Sequence, residues 1–165
     1  MTSEVKKVTY SYNNDVEVDE LGKFVTNEFL EYKKLTFTQS DHNFITPNGL
    51  YQEQNVSLNS LFGRDRVFDY PQRLFTDIHF ENLTHVHVDK DNIWDLNEKQ
   101  WFCRSQYSIV YSGFKVQTDH VHLVIHDLLL NTDGDPDFNA HDFYNESDIE
   151  YYLDSAAFYR ENFKT

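Results

Sequence analysis

Histidines recur two residues apart at two places in this chain. His85 and His87 form one pair, and His120, His122 and His126 form a second group. Residues two apart share a face of an extended strand, so each group would present its imidazoles together. Imidazole titrates near neutral pH and ligates metals, so these residues could do acid–base work, or hold zinc if the two strands were neighbours. The alternative is that they are ordinary histidines on a solvent-facing or partly buried strand face.

Arginines concentrate in the middle of the chain. Four of the five lie between positions 61 and 104, namely Arg64, Arg66, Arg73 and Arg104. Gly63, next to Arg64, would let backbone amides and a guanidinium approach the same anion, and guanidinium matches phosphate oxygens with paired hydrogen bonds. The sequence therefore places any anion-binding surface in this block. The alternative for Arg64 and Arg66 is an ion pair at a turn, with Asp65 or Asp69 as the partner.

An acidic turn resembles the opening of a calcium-binding loop. Asp133, Asp135 and Asp137 alternate as calcium ligands do, but Phe138 stands where such a loop needs glycine and Tyr144 where it needs glutamate. The pattern therefore favours a solvated turn, and the sequence predicts no metal and no cofactor.

Charge and composition limit the class of protein. The 165 residues carry 28 acidic and 14 basic side chains, a formal net charge of −14, which excludes a globally basic nucleic-acid coat. Residues 105–165 hold 11 acids and 3 bases, and so supply −8 of that charge. Aromatic residues make up 16% of the chain, enough for a core built on large rings, so we expect one folded domain over residues 1–165.

Compartment follows from what the chain contains. We find no apolar run of the 18 or more residues that a membrane span requires, and the N-terminus has no apolar run after its two lysines. Cys103 is the single cysteine, so it cannot form an internal disulfide. These features predict a cytoplasmic protein with no membrane partner.

The secondary structure that must position these residues can be predicted from periodicity and capping patterns. The predicted elements are a strand over 5–12 that could lie at a sheet edge, an amphipathic helix over 16–34 capped by Asp15 or Asp19, a loop insertion over 36–60 with at most one short strand, strands over 85–88, 108–114 and 119–130, and a C-terminal helix that opens on a capping box of Ser147 and Glu150.

The clearest strand alternates along its length. Val121, Leu123 and Ile125 are apolar at odd positions, while the histidines of this segment occupy even ones. Strands bracketed by helices, without regular βαβ alternation or a glycine-rich turn, predict an α+β fold with an antiparallel sheet.

A series of short motifs resembles one known family. In order and approximate spacing, the chain carries Phe62-Gly63-Arg64-Asp65, His85-Val86-His87-Val88, Trp94-Asp95-Leu96, Gln100-Trp101-Phe102-Cys103-Arg104-Ser105 and Val110-Tyr111-Ser112-Gly113-Phe114. This series resembles the YafO family of bacterial toxins, which are ribosome-associated mRNA interferases of toxin–antitoxin systems. The likeness covers about residues 16–163, interrupted by the segment 36–60. The chain departs from the family at Asp95, where proline is usual, and after Arg104, where the family has an Arg-Thr-Ser-Asp run.

The resemblance implies a fold, partners and a reaction. The fold would be RelE-like, with an N-terminal and a C-terminal helix around the sheet, and the partners would be mRNA, the ribosome and a cognate antitoxin. Metal-independent RNA cleavage needs a base, a cation for the phosphorane and an acid. The matching residues are His85 or His87 as base or acid, Arg64 and Arg104 on the phosphate, and Tyr111 as a second proton donor or stacking platform. Arg66 and Arg73 would add RNA contacts.

Two other functions fit the same residues. An acidic chain could be a non-enzymatic binding or inhibitor protein, either a nucleic-acid mimic or the partner of a basic protein. A histidine-liganded metal protein is the other alternative. The sequence does not indicate an oligomeric state.

Overall fold

A five-stranded sheet in the order β1-β5-β4-β3-β2 forms the centre of the computed structural model, which describes residue 5 and residues 7–39 and 45–164. Its strands are β1 Lys7–Tyr12, β2 Phe62–Val67, β3 Thr84–Val88, β4 Ser108–Gln117 and β5 His120–Leu129. Strands β2 to β5 pair antiparallel, while β1 pairs parallel with β5 at one edge. The α+β class is confirmed. The prediction of an antiparallel sheet is wrong at β1, whose parallel pairing makes the sheet mixed, because strand periodicity carries no information about strand direction.

Helices cover both faces of this sheet. They are α1 Glu20–Gln39, α2 Gly49–Gln54, α3 Phe75–Glu81 and α4 Glu146–Glu161. α1 packs on one face, and α3 and α4 pack on the other. The predicted N-terminal and C-terminal helices are thus both present. In the described part of the chain, we find no helix whose length and apolar content would let it cross a lipid bilayer.

The core on the α1 side rests on aromatic rings. Phe29 of α1 lies 4.9 Å from the ring of Tyr111, and Tyr32 stacks on Phe62 at 5.0 Å, all four rings being buried. Val121, Leu123 and Ile125, at odd positions of β5, face the same core. Burying one such large side chain stabilises the fold by roughly 1.5–3 kcal/mol, so a few rings replace the aliphatic bulk that the composition lacks.

The other face of β5 carries the histidines, as its alternation predicts. His120, His122 and His126 are buried beneath α4 and the residues that follow it. Phe163 lies in the segment that follows α4, and its ring packs 4.5 Å from that of His122. The histidine face is therefore a second core rather than a solvent face.

α4 begins earlier than its predicted capping box. Asn145 is the cap, and its backbone N–H donates to the Asp148 carboxylate at 3.0 Å, so the prediction of Ser147 and Glu150 is wrong by two residues. The register is set by Ile149 and Leu153, which α4 buries against the sheet. Both pairs fit the capping pattern, and tertiary packing selects between them.

The segment predicted as a loop over 36–60 contains helix. α1 continues to residue 39, and α2 spans Gly49–Gln54 with the Asn48 side chain accepting its cap hydrogen bonds. The short strand considered there is a single bridge between Val56 and Lys99. Residues 40–44 lie outside the described residues. The sequence pattern predicts neither α3 nor β2. β2 contains three charged residues, so its composition is not typical of a strand.

Candidate functional site

Strand β2 turns its side chains to two different environments. Its pairing with β3 shifts register between Phe62 and Asp65, so both residues face the α1 side of the sheet and are fully buried. Arg64 and Arg66, two apart, are directed to the opposite face. The Phe62-Gly63-Arg64-Asp65 motif therefore joins a core anchor to a surface cation.

The Asp65 carboxylate lies in a buried polar network. It accepts hydrogen bonds from Lys33 Nζ at 2.9 Å, Tyr32 Oη at 2.7 Å and Tyr111 Oη at 2.5 Å. The Asp65 backbone is held as well, because its N–H donates to Gln52 Oε1 at 2.9 Å and its carbonyl accepts from Gln52 Nε2 at 2.8 Å. Burial lowers the pKa of Lys33 and raises the pKa of both tyrosines. Side chains from α1, α2 and β4 thus fix the position of β2.

Gly63 allows a second segment to approach β2 closely. A Cβ at this position would lie 2.2 Å from the carbonyl oxygen of Cys103 and 2.7 Å from the Trp94 ring. Cys103 accepts a 2.9 Å hydrogen bond from the Arg64 N–H through that same oxygen. Gln100 donates to the Gly63 carbonyl at 2.9 Å. The absence of a side chain therefore lets the 100–104 segment dock against the strand.

This docking brings three arginines together. The Arg64 guanidinium lies 4.3 Å from the centre of the Trp101 ring, and its Nε donates to the Trp101 carbonyl at 2.8 Å. Arg66 approaches the same ring at 5.9 Å and also pairs with Asp69, as the ion-pair alternative predicts. The pKa of Arg64 is lowered by partial burial and by the nearby charges of Arg104 and Arg66. We call Arg64, Arg66 and Arg104 the arginine cluster.

The paired histidines of β3 lie beside the arginine cluster. His85 is the register partner of Arg66, and its ring lies 4.5 Å from Phe68 and 5.1 Å from Tyr144. The ring of His87 is 5.8 Å away from that of His85. His85 and His87 thus lie on one face of β3, as their two-residue spacing predicts.

Both β3 histidines are held in the neutral form. Burial lowers the pKa of His87 to about 4, and the charges of Arg64 and Arg104 act in the same direction. Burial also lowers the pKa of His85 well below its ordinary value. His87 Nδ1 lies 3.0 Å from the backbone nitrogen of Ser105 and 2.9 Å from its carbonyl oxygen, so this backbone holds the ring in either tautomer. A neutral imidazole has a nitrogen that can accept a proton, and a pKa of about 4 makes His87 a weak base at neutral pH.

A groove of about 430 Å³ is lined in part by His87, and we call it the His87 groove. Its lining residues are His87, Val88, Asp89, Lys90, Asp91, Ile93, Arg104, Ser105, Gln106, Tyr107 and His141. His141 comes from a 3₁₀ helix, Ala140–Phe143, and is exposed. The sequence pattern does not single out His141, because this histidine is isolated in an acidic segment and has no periodic partner.

Hydrogen bonds fix the segments that line the His87 groove. The Asp89 carboxylate accepts from the backbone N–H groups of Ile93 at 2.9 Å and Trp94 at 3.0 Å. Ser105 Oγ donates to the Val88 carbonyl at 2.7 Å. Trp94 Nε1 joins the 89–94 segment to the 104–105 segment by donating to the Arg104 carbonyl at 3.0 Å. The groove is therefore preformed.

Two predicted site residues lie elsewhere. Tyr111 is fully buried on the α1 side of the sheet, where it bonds to Asp65, so it cannot stack on a bound substrate or donate a proton to one. Arg73 pairs with Glu146 and Glu150 at the start of α4 and so does not join the arginine cluster. The other five predicted residues (His85, His87, Arg64, Arg66 and Arg104) come together.

The histidines of β5 bond to hydroxyl groups. His122 lies 2.7 Å from Thr9 Oγ1 and 2.9 Å from Ser11 Oγ, and His126 lies 2.8 Å from Ser112 Oγ. Strand β4 separates β5 from β3, so the neighbouring-strand condition for a shared zinc site fails. Within the described ranges, no group of three or more histidine, cysteine or acidic residues could hold a metal ion.

Comparison with known proteins gives one match. A family model described as toxin YafO of a type II toxin–antitoxin system matches residues 49–161. No curated protein and no solved structure matches the chain significantly. The matched span contains the arginine cluster, both β3 histidines and the whole His87 groove, whereas β1 and α1 precede it.

Proposed function

The chain belongs to the YafO family of toxins from type II toxin–antitoxin systems, and on that basis we propose that it is an mRNA interferase, an endoribonuclease that cleaves mRNA at the ribosome. Membership makes the chain a toxin with a cognate antitoxin as its partner. The cleavage activity is our inference from the residues around the His87 groove.

One observation supports the cleavage proposal above the others. In a chain with a net charge of −14, Arg104 lies close enough to Arg64 to help lower the pKa of Arg64, yet neither arginine forms an ion pair with any residue that the structure describes. The Glu53 carboxylate acts on the pKa of Arg64 in the opposite direction but forms no ion pair with it. Cations held together without a carboxylate in ion-pair contact favour an external anion, and guanidinium binds phosphate through paired hydrogen bonds. An RNA phosphate at this point would lie next to His87.

The reaction that we propose is transfer to the ribose 2′-oxygen. A base removes the 2′-hydroxyl proton as O2′ attacks the phosphorus. The bond from phosphorus to the 5′-oxygen then breaks, and that oxygen takes a proton from an acid. The products are a 2′,3′-cyclic phosphate and a free 5′-hydroxyl. The chemistry therefore needs a base, a cation and an acid within reach of one phosphate.

The residues of the groove suit these roles. His87 is neutral because it is buried beside arginines, so it is available as the base. Arg64 and Arg104 would stabilise the charge that develops on the phosphorane, and Trp101 holds the Arg64 guanidinium in place. His141, exposed on the rim, can pass a proton to the leaving oxygen. His85, enclosed by Phe68 and Tyr144, supports His87 from the same strand face.

Cleavage of a defined mRNA tests the proposal. Purified protein is incubated with the transcript alone and with ribosomes programmed by it, and the cut ends are mapped by primer extension. We expect cuts in the ribosome reaction, and we expect a 2′-deoxy substitution at the cut nucleotide to abolish them. Arg64→Ala and His87→Ala should each lower the rate by at least about 100-fold.

Lys115→Ala is the matched control. Lys115 is exposed near the end of β4 opposite to the groove, so removing its charge should leave cleavage unchanged. Undiminished cleavage by both Arg64→Ala and His87→Ala would place the chemistry elsewhere. A wild-type protein that cuts neither free nor ribosome-bound mRNA would instead favour the non-enzymatic binding protein.

A further inference from the structure

We propose that the part of the His87 groove formed by Lys90, Ile93 and Gln106 binds the nucleotide next to the scissile phosphate, and that Ile93 and Gln106 read its base. This inference rests on the proposed function and adds the sequence preference of the reaction. Lys90, Ile93 and Gln106 line the same groove as His87 and Arg104, and the proposed chemistry does not use these three residues.

The groove places an apolar surface beside its cations. Ile93 is 75% exposed, although its backbone is held by the Asp89 carboxylate. Its exposure is thus a fixed feature of a hydrogen-bonded turn. A nucleobase has flat apolar faces that gain from contact with such a side chain, whereas a metal ion or a small anion would gain nothing from it.

Gln106 supplies a polar counterpart in the same groove. Its side chain is exposed and forms no hydrogen bond to the described residues, while its backbone carbonyl accepts from the Ala140 N–H at 2.9 Å. A free amide carries one acceptor and two donors, the set that pairs with the edge of a base. The fixed backbone and free side chain are what a base-reading residue needs.

Lys90 completes the charge pattern of the groove. Its Nζ donates to the Asn131 carbonyl at 2.9 Å and lies 5.0 Å from the centre of the Tyr107 ring. The ammonium is therefore held in place, and Lys90 lines the same groove as Arg104. Two cations in one groove with an apolar side chain and a free amide match a nucleotide, which has a charged backbone and a flat base.

The cleavage pattern over many sequence contexts tests this inference. A transcript that contains all sixteen dinucleotides is presented on ribosomes, and cut ends are counted for wild type, Ile93→Ala and Gln106→Ala. We expect cleavage at the preferred sites to fall by about ten-fold in each variant, with little change at the poorly cut sites, so that the preference flattens.

Two matched controls separate base reading from general damage. Leu96→Ala removes a 72% exposed side chain that lies outside the groove, three residues beyond Ile93, and Gln117→Ala removes an exposed amide at the end of β4. Both should keep the wild-type pattern. An unchanged pattern in the Ile93 and Gln106 variants, or an equal loss at every site, would overturn the inference while leaving the proposed function intact. A wild-type protein without cleavage would overturn both.

A binding measurement gives a second readout that needs no ribosome. The four nucleoside 3′-monophosphates are titrated into the intact protein while the Ile93 methyl resonances are followed by NMR. We expect one nucleotide to shift them at lower concentration than the other three, and Gln106→Ala to remove that difference. Equal shifts with all four nucleotides would contradict base reading.

Discussion

Lys33 and Asp65 form an ion pair whose two side chains are completely buried, with Nζ 2.9 Å from Oδ2. The pair joins α1 to β2 one residue away from Arg64, which carries the surface charge. A buried charge is tolerated when its partner and further hydrogen bonds compensate for lost hydration, and here Tyr32 and Tyr111 supply those bonds. The buried polar network therefore holds β2 in the position from which Arg64 joins the arginine cluster.

Removing the lysine should destabilise the protein strongly. Lys33→Met leaves the Asp65 carboxylate buried without its counter-charge, and we expect a loss of about 3–5 kcal/mol in the free energy of unfolding. Urea denaturation followed by circular dichroism measures it. Lys34→Met, on the exposed neighbour, should change the value by less than about 0.5 kcal/mol. Equal effects of the two substitutions would mean that the buried pair contributes nothing specific.

Gly63→Ala should disrupt the arginine cluster. The added Cβ would lie 2.2 Å from the backbone oxygen of Cys103, so the 100–104 segment must move away from β2. We expect a loss of at least about 2 kcal/mol in stability and weaker RNA binding, read by denaturation and by fluorescence anisotropy. Gly22→Ala is the control, because its Cβ would meet the flexible end of Leu128 at 3.1 Å. If both variants behave alike, the close approach at Gly63 is not needed.

Acidification should destabilise the fold through its buried histidines. Burial lowers the pKa of His122 to about 4 and of His126 to about 3, from 6.5. Between pH 6.5 and these lower pKa values, the unfolded chain binds protons that the folded chain does not. The stability that the neutral histidines contribute is therefore fully present above about pH 6.5 and is lost as the pH falls toward 4 to 3.

Urea midpoints measured between pH 7.5 and 4.5 would detect this loss. His126→Gln should flatten the dependence, because the variant loses one group that titrates only on unfolding. His79→Gln, at an exposed position, should keep the wild-type slope. A His126 variant with the wild-type slope would show that other groups cause the acid sensitivity.

Salt dependence should separate the arginines by their partners. With an RNA carrying a 2′-deoxy nucleotide at the cut site, Arg64→Ala and Arg104→Ala should each reduce the slope of log affinity against log salt by about 1. Arg73→Ala should leave it unchanged, because Glu146 and Glu150 already neutralise that charge. Anisotropy titrations at several salt concentrations give the slopes. Equal reductions for Arg73 and Arg64 would mean that RNA also covers the start of α4.

Local pattern predicted the elements whose residues alternate or repeat clearly. The even-position histidines of β5 and the apolar positions of α1 occupy the faces that their spacing indicates. The pairing of His85 and His87 also follows from strand period alone. These features are encoded within a few residues of one another, so the sequence suffices to predict them.

Features that depend on distant contacts could not be predicted in this way. β2 appears too charged for a strand, and its Asp65 is acceptable there only because Lys33, 32 residues earlier, is buried against it. Tyr111 follows the strand pattern, but nothing local indicates that it faces Asp65 rather than solvent. His141 reaches the groove through the packing of a 3₁₀ helix near Gln106. In each case the position depends on a partner far away in sequence.

The amide of Gln52 has a consequence for how copies of this protein can meet. Because it bonds both the N–H and the carbonyl of Asp65, it takes the place that a neighbouring strand would fill at the edge of β2. The Gly63 carbonyl and the Arg64 N–H on the same strand are occupied by Gln100 and Cys103. An extended segment from another molecule therefore cannot pair with these backbone groups, because they are already bonded. The β2 edge of the sheet is thus protected against edge-to-edge aggregation.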